Sequence, residues 1–243
     1  MPIRVPLRNL IRPFCSTRRY LYFSSYKTPK MGLKIVPGSL DDAERIVAIE
    51  KVAFSGTSPI GALMYPGPFP PDADESGRIN SMREKLSSSH VQVVKIVDEE
   101  LEAQGKESRI TFGVWYVWKD GVSQDNLPIA LDKGPGSDPV VCGAFFGGMK
   151  KVLFEKYEGK PLLYLSLLAT HPDHQGRGAG HMILKWGEEE AARLGLTSYL
   201  EATAAGRPLY EKHGYVSQGI YEFDLAPFGG TGAASMTMME RPI

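Results

Sequence analysis

The chain has 243 residues, 42% hydrophobic and 23% charged, with a formal net charge of zero. That is the make-up of a globular protein long enough for one sizeable core. No segment approaches the roughly 20 continuous apolar residues that span a bilayer, which argues against a membrane partner. The neutral total hides an asymmetry. Eight of the 28 basic residues and none of the 28 acidic ones fall in the first forty positions, leaving 20 basic against 28 acidic in the rest. An acidic body is a poor match for phosphate backbones and argues against nucleic-acid binding, whereas it suits a cationic amine. Two cysteines, Cys15 and Cys142, make no disulfide framework and point to a reducing compartment.

Residues 1–31 form a basic tail rich in Arg, Ser and aromatic residues and free of Asp and Glu. This is the composition of a mitochondrial targeting peptide. Pro2, Pro6 and Pro13 interrupt the amphipathic helix such peptides form. A disordered tail, or a true start at Met31, is the competing reading, so the location is mitochondrial or cytoplasmic. Residues 32–243 read as a single domain with an insertion around 119–160.

Within it, Leu33–Val36 is a short strand closed by Pro37-Gly38. Ser39 and Asp42 resemble a capping pair, followed at helical spacing by Ala43, Ile46, Ile49 and Ala53. Residues 56–77 are rich in Gly and Pro and read as one long loop, stiffened by Pro66, Pro68, Pro70 and Pro71. A second helix covers 78–88. The β-branched run 91–97 and the run 110–118 are strands joined by a polar hairpin connection. Residues 119–139 are loop-like, and 140–157 is helical despite the pair Gly147-Gly148. Leu162–Thr170 is a buried strand. Residues 178–194 are a strong helix, with Ala179, Ile183, Trp186, Ala191 and Leu194 on one stripe and Gly195 as its C-terminal cap. A strand at 199–203, a short helix opened by Pro208 and ended by Gly214, and strands at 216–225 and 234–240 complete the chain. The order defines an α/β fold with a mixed, mostly antiparallel central sheet flanked by helices.

The chemistry concentrates where the strand at 162–170 meets the helix at 178–194. The connection contains Gln175-Gly176-Arg177-Gly178-Ala179-Gly180. The first turn of a helix leaves N–H groups unpaired and carries partial positive charge. Glycines allow an anion to approach the backbone, and arginine adds a full charge, so the segment is a candidate diphosphate cradle. A plain tight turn is the alternative at this point. A dinucleotide fingerprint would need Gly-x-Gly-x-x-Gly early in the chain, and a nucleotide-hydrolysing loop would end Gly-Lys-Ser/Thr. Neither pattern is met.

The run from Leu165 to Tyr215 resembles the two central motifs of the GCN5-related N-acetyltransferase (GNAT) superfamily, in a form similar to small fungal members of unassigned substrate. Gln175, Gly178 and Gly180 meet its Gln/Arg-x-x-Gly-x-Gly/Ala signature, and Leu209–Tyr215 meets its Leu-Tyr-Glu-Lys-x-Gly-aromatic segment. The resemblance implies the acyl-CoA N-acyltransferase fold with splayed central strands. It implies acetyl-CoA as acyl donor, no metal, and a small-molecule amine as acceptor, in a monomer or homodimer. Transfer would occur by direct attack in a ternary complex. An inactive CoA-binding sensor is the alternative from another class.

By the same resemblance, the pantetheine arm meets backbone groups of Leu168, Ala169 and Thr170. The pyrophosphate meets the backbone of Gln175, Gly176, Arg177, Gly178, Ala179 and Gly180. Tyr210 is the general acid facing the thioester sulfur. The base is less defined: strand alternation gives Tyr164, Ser166 and Leu168 one facing, where Tyr164 or Ser166 could orient a water. Glu201 is the nearest plausible carboxylate, with a salt-bridged or exposed glutamate as the competing reading. His171, His174 and His213 read as surface or capping residues, and Trp115 and Trp118 as core and sheet surface rather than a stacking platform.

Overall fold

The computed structural model describes residues 32–54, 58–66, 74–128 and 134–243. The basic tail and Pro68, Pro70 and Pro71 lie outside the described residues. Seven strands form one sheet: β1 (Leu33–Pro37), β2 (Val91–Asp98), β3 (Arg109–Trp118), β4 (Leu162–Thr170), β5 (Ser198–Ala202), β6 (Val216–Asp224) and β7 (Ala233–Arg241). Their spatial order is β1-β2-β3-β4-β5-β7-β6. All neighbours are antiparallel except β4 and β5, which are parallel. The mixed, mostly antiparallel sheet expected from the element order is therefore present.

β3 lies third in the sheet and reads ITFGVWYVW after its first residue, a run buried along its whole length. Such strands are covered on both faces, and both faces are indeed packed. On one side lies α6 (Ala179–Leu194), which presses Ile183, Leu184 and Trp186 onto Val94, Ile110, Trp115 and Leu165. On the other side α1 (Ala43–Phe54) and α3 (Ser76–Ser87) pack Ile46, Ile49, Met82 and Leu86 against Phe112, Val114 and Tyr116. The entry to α1 is fixed as the sequence implied: the Ser39 N–H donates to Asp42 Oδ2 at 2.8 Å. Asp42 is buried and also receives Lys95 Nζ at 2.8 Å and Arg109 Nη1 at 3.1 Å, tying the helix start to β2 and β3.

The structure corrects three expectations. The long loop at 56–77 contains a helix, α2 (Pro59–Met64), started by Ser58, whose hydroxyl accepts from the Gly61 N–H. Its six residues are too few to show a periodic apolar stripe. The hairpin connection between β2 and β3 also holds a helix, α4 (Glu99–Ala103), because Asp98 accepts the N–H groups of Glu100 and Leu101. The α3 helix begins at Ser76, two residues before the expected 78. The helix at α5 (Pro139–Tyr157) forms as expected, with Asp138 as its cap. Its C-terminal end is joined to the segment after β3 by an isolated bridge between Val122 and Glu158, and it delivers Leu153 and Tyr157 to the core.

Close approach of α6 to β3 depends on two glycines. A methyl added at Gly187 would lie 2.3 Å from the Trp115 ring, and one at Gly113 2.4 Å from Ile183 Cγ2. Trp115 is fully buried and cannot swing away. Overpacking costs about 1–3 kcal/mol, while replacing a mid-helix Gly by Ala returns about 1 kcal/mol of helix propensity. Gly187→Ala is therefore expected to lower unfolding free energy by up to about 2 kcal/mol in urea denaturation. A gain in stability would show that Trp115 and α6 are less tightly joined than described.

Candidate acyl-CoA site

The pairing between β4 and β5 runs only from Leu163–Leu165 to Ser198–Leu200. Beyond it β4 continues along β3 to Thr170, and β5 continues along β7 to Ala202. The two strands diverge, so a gap opens in the sheet with backbone edges on both sides. The register change at the same place is a bulge. Val114 faces Leu167 and Trp115 faces Leu165, which leaves Ser166 as the extra residue. Its hydroxyl donates to the Val114 carbonyl at 3.1 Å.

The bulge overturns the simple alternation assumed for this strand. Leu163, Leu165 and Leu168 pack on the α6 side, while Tyr164, Leu167 and Ala169 pack on the opposite side. Tyr164 and Leu168 therefore face opposite ways, and the Ser166 hydroxyl is already engaged. The bulge also decides which backbone groups face the gap. Leu163 N–H goes to Thr197 O on the β5 side, whereas His171 N–H goes to Ile110 O on the β3 side. Counting back from His171, Ala169 turns its groups to β3 and Leu168 and Thr170 turn theirs to the gap. The Thr170 carbonyl is taken by Gln175 Nε2 at 3.3 Å, which folds the following loop back on the strand. Leu168 is left as the residue of the three with both backbone groups open.

After a short 3-10 turn at Pro172–His174, the chain enters α6 through Gly176 and Gly178, with φ of +74° and +86°. Side chains rarely adopt this region, so glycine is required at both. A methyl built at either would meet nothing within 4 Å, so the space over the loop is open. No side chain caps α6, and the helical ladder starts at Met182 N–H to Gly178 O. The N–H groups of Ala179, Gly180 and His181 thus precede the ladder and are available to an anion. Arg177 plays a different part from the free charge expected. Its Nη2 pairs with Asp98 Oδ2 at 2.7 Å and its Nη1 lies 3.1 Å from His174 Nδ1. Asp98 is almost fully buried and caps α4, so Arg177 anchors the loop to the β2–α4 corner.

Tyr210 and Glu201 lie on opposite sides of the gap. Tyr210 stands on α7 (Arg207–Lys212) and packs partly buried on the α6 side, edge-on to Tyr215. Its hydroxyl has no hydrogen-bond partner among the described residues. Burial pushes its pKa up, with Tyr215 adding to the effect. Glu201 follows Leu200, the last β5 residue paired with β4, and points to the other face. There its Oε2 accepts the Tyr164 hydroxyl at 2.9 Å, and it forms no ion pair among the described residues. Burial raises its pKa to about 7, only partly opposed by the tyrosine hydroxyls around it. It is neither the salt-bridged nor the exposed glutamate of the competing reading. Aromatic rings wall this face: Tyr164 lies 5.9 Å from Trp118 and 5.9 Å from Tyr199, and Tyr157 lies 5.0 Å from Tyr199. Trp115 and Trp118 are both fully buried, so neither takes the sheet-surface position that was also expected.

His171 accepts the Asp173 N–H and acts as a local cap. His213 is the C-cap residue of α7, in keeping with the surface or capping role expected, but its side chain does more. It is largely buried and links Glu188 to His181, a residue the sequence did not single out. Glu188 and His181 are seven apart on α6 and so share a face, but His213 reaches them only through the tertiary fold.

An interrupted parallel pair beside a positive-φ loop and an uncapped helix defines the class of acyl-CoA N-acyltransferase folds. Residues 138–217 match the family model described as the acetyltransferase (GNAT) domain. Similar solved structures include the histone acetyltransferase HPA2 and related acetyltransferase of Corynebacterium glutamicum, at 20% identity and a TM-score of 0.51, covering 87% of this chain and 97% of that one. Another is NAA60 of Arabidopsis thaliana in complex with acetyl-CoA, at 14% identity and a TM-score of 0.52, covering 87% and 99%. A third is the C-terminal condensation domain of Ebony in complex with beta-alanyl-dopamine, at 11% identity and a TM-score of 0.57, covering 88% and 100%. Residues 138–217 are thus similar to the GNAT acetyltransferase domain, and the chain has the acyl-CoA N-acyltransferase fold.

The environment of Glu201 has a consequence for stability. Its folded-state pKa of about 7 lies above the ordinary 4.5, so the native state binds the proton more tightly. The associated stabilisation is complete below the ordinary value and is lost as pH rises through 7. Glu201→Gln, which cannot ionise, should therefore gain stability relative to wild type between pH 5 and pH 8 in urea denaturation. An equal difference at both pH values would mean that Glu201 is not held in a desolvating site.

Proposed function

We propose that the enzyme transfers the acetyl group of acetyl-CoA to the primary amine of a small molecule by direct attack in a ternary complex. The observation that carries this reading is the gap between β4 and β5, bordered by the open glycine loop and flanked by Glu201 on one face and Tyr210 on the other. The acyl-CoA complex of the similar Arabidopsis structure supports acetyl-CoA as the donor.

The chain's groups divide the work. The N–H groups at the start of α6 hold the diphosphate, and the open backbone of Leu168 pairs with the amide-bearing arm and positions it in the gap. Glu201 accepts the proton that the attacking amine loses as the new C–N bond forms. A carboxylate with a pKa of about 7 is a far stronger base than an ordinary one, while still largely ionised just above neutrality. Tyr210 keeps its proton because burial disfavours phenolate, and it gives that proton to the sulfur as the C–S bond breaks. Solvent then restores the tyrosine proton and removes the one on Glu201. The acidic body and the ring-walled face around Glu201 favour a cationic or aromatic amine over an anionic acceptor.

The test is release of free CoA thiol over an amine panel, with mass detection of the acylated product, alongside calorimetric titration with acetyl-CoA. Turnover on an amine is expected, with kcat/KM rising with pH through about 7 as Glu201 ionises. Tyr210→Phe should reduce kcat by about 10²-fold, the usual range for a lost general acid. Tight acetyl-CoA binding with no turnover across the panel would instead identify a CoA-binding sensor. An unchanged kcat in the Tyr210 variant would remove that residue from the reaction.

A further inference from the structure

Beside the candidate diphosphate cradle lies a chain of three titratable side chains that the proposed mechanism does not use. His181 is the third residue of α6 and is exposed. Its Nδ1 lies 2.7 Å from His213 Nε2, and His213 Nδ1 lies 2.5 Å from Glu188 Oε1. The carboxylate fixes the proton pattern. Glu188 can only accept, so His213 carries its proton on Nδ1 and offers a lone pair at Nε2. His181 must then donate from Nδ1, which leaves its Nε2 as the terminal atom of the relay. Side chains in a helix lean toward its N-terminus, so His181 leans over the turn that exposes the unpaired N–H groups.

Taking up one proton at Nε2 breaks nothing in this arrangement. The imidazolium still donates from Nδ1 to His213, His213 still donates to Glu188, and the new N–H points outward. A neutral pair of surface histidines has no such built-in acceptor for charge. Without a ligand the proton is disfavoured: burial, then the neighbouring His213 and Lys212, hold His181 below its ordinary pKa. The other charges nearby are Lys185, 3.7 Å from Glu188, and Arg241 of β7, which lies close to Gly214. With Arg177 committed to Asp98, the loop residues themselves offer a diphosphate backbone dipoles, and Lys212 beside His181 is the further cation at this end of α6.

We propose that His181 is a side-chain contact of the diphosphate site, engaging as an imidazolium held by His213 and Glu188, so that acyl-CoA binds with uptake of one proton from solvent. This inference rests on the acyl-CoA reading above. It adds a pH-dependent contact that the backbone cradle alone would not have. Binding is strengthened below the pKa that His181 has in the complex and weakens as pH rises through it.

The experiment is calorimetric titration of the full chain at pH 7.5 with acetyl-CoA and with dephospho-CoA, each in two buffers of different ionisation enthalpy. Dephospho-CoA lacks the 3′-phosphate, whose own protonation would otherwise contribute. Uptake approaching one proton per ligand is expected with both ligands, declining toward pH 9. His181→Gln should abolish the uptake and raise Kd about tenfold, the usual scale for a lost charge-assisted hydrogen bond. Glu188→Gln should lower the uptake while keeping the fold, and His181→Gln, at an exposed position, decides the matter if His213→Gln fails to fold. Binding of both ligands with no proton uptake, or uptake unchanged in His181→Gln, would overturn the inference while leaving the acyl-CoA reading intact. Uptake with acetyl-CoA alone would assign the proton to the 3′-phosphate and also overturn it. Absence of any binding by wild type would remove the acyl-CoA reading and this inference together.

Discussion

The loss of pairing between β4 and β5 after Leu165 and Leu200 is the constraint on which the rest of the site depends. A continuous sheet would satisfy its own backbone groups and leave nothing for a ligand. Here the bulge at Ser166 turns β4 by one residue while keeping it bonded to β3, and β5 stays bonded to β7. Each diverging strand is therefore supported from its outer side, and the gap between them persists without help from its occupant. Burial of β3 on both faces, and the contact of Trp115 with Gly187, hold the β3 side of that frame in place.

Opening the sheet at one point also separates the chemistry by face. The candidate anion cradle, Tyr210 and the side chains of His181, His213 and Glu188 belong to the α6 side. Glu201, Tyr164 and the aromatic wall belong to the side covered by α1, α3 and α5. A donor reaching through the gap and an acceptor approaching from the other side would meet between an acid and a base that cannot neutralise each other directly. The environments of the two groups suit the roles proposed for them. Burial raises both pKa values, which keeps the tyrosine protonated and makes the carboxylate basic near neutrality.

Much of this was legible in the sequence because it rests on local signals. The α6 stripe, the glycine loop and the Pro208 start of α7 each depend on residues close in the chain. The fold followed from the order of the elements. What escaped was decided at a distance or in too few residues. Helices α2 and α4 are one to two turns long and are fixed by the Ser58 and Asp98 caps rather than by periodicity. The bulge at Ser166 is set by register against Val114 and Trp115, some fifty residues away, and it reversed the facing inferred for Leu168. Arg177 carries the charge expected of a phosphate ligand, yet its partner Asp98 lies 79 residues earlier. Glu201 was found as the nearest carboxylate, but its basicity comes from burial that no spacing reveals.

The most direct measurement of the central claim is residue-resolved amide hydrogen exchange by NMR, with and without acetyl-CoA. The account predicts that ligand slows exchange at Leu168 and at Gly176–His181, while Ala169, already turned to β3, changes little. Protection confined to other parts of the chain, with Leu168 and the α6 start unaffected, would contradict it.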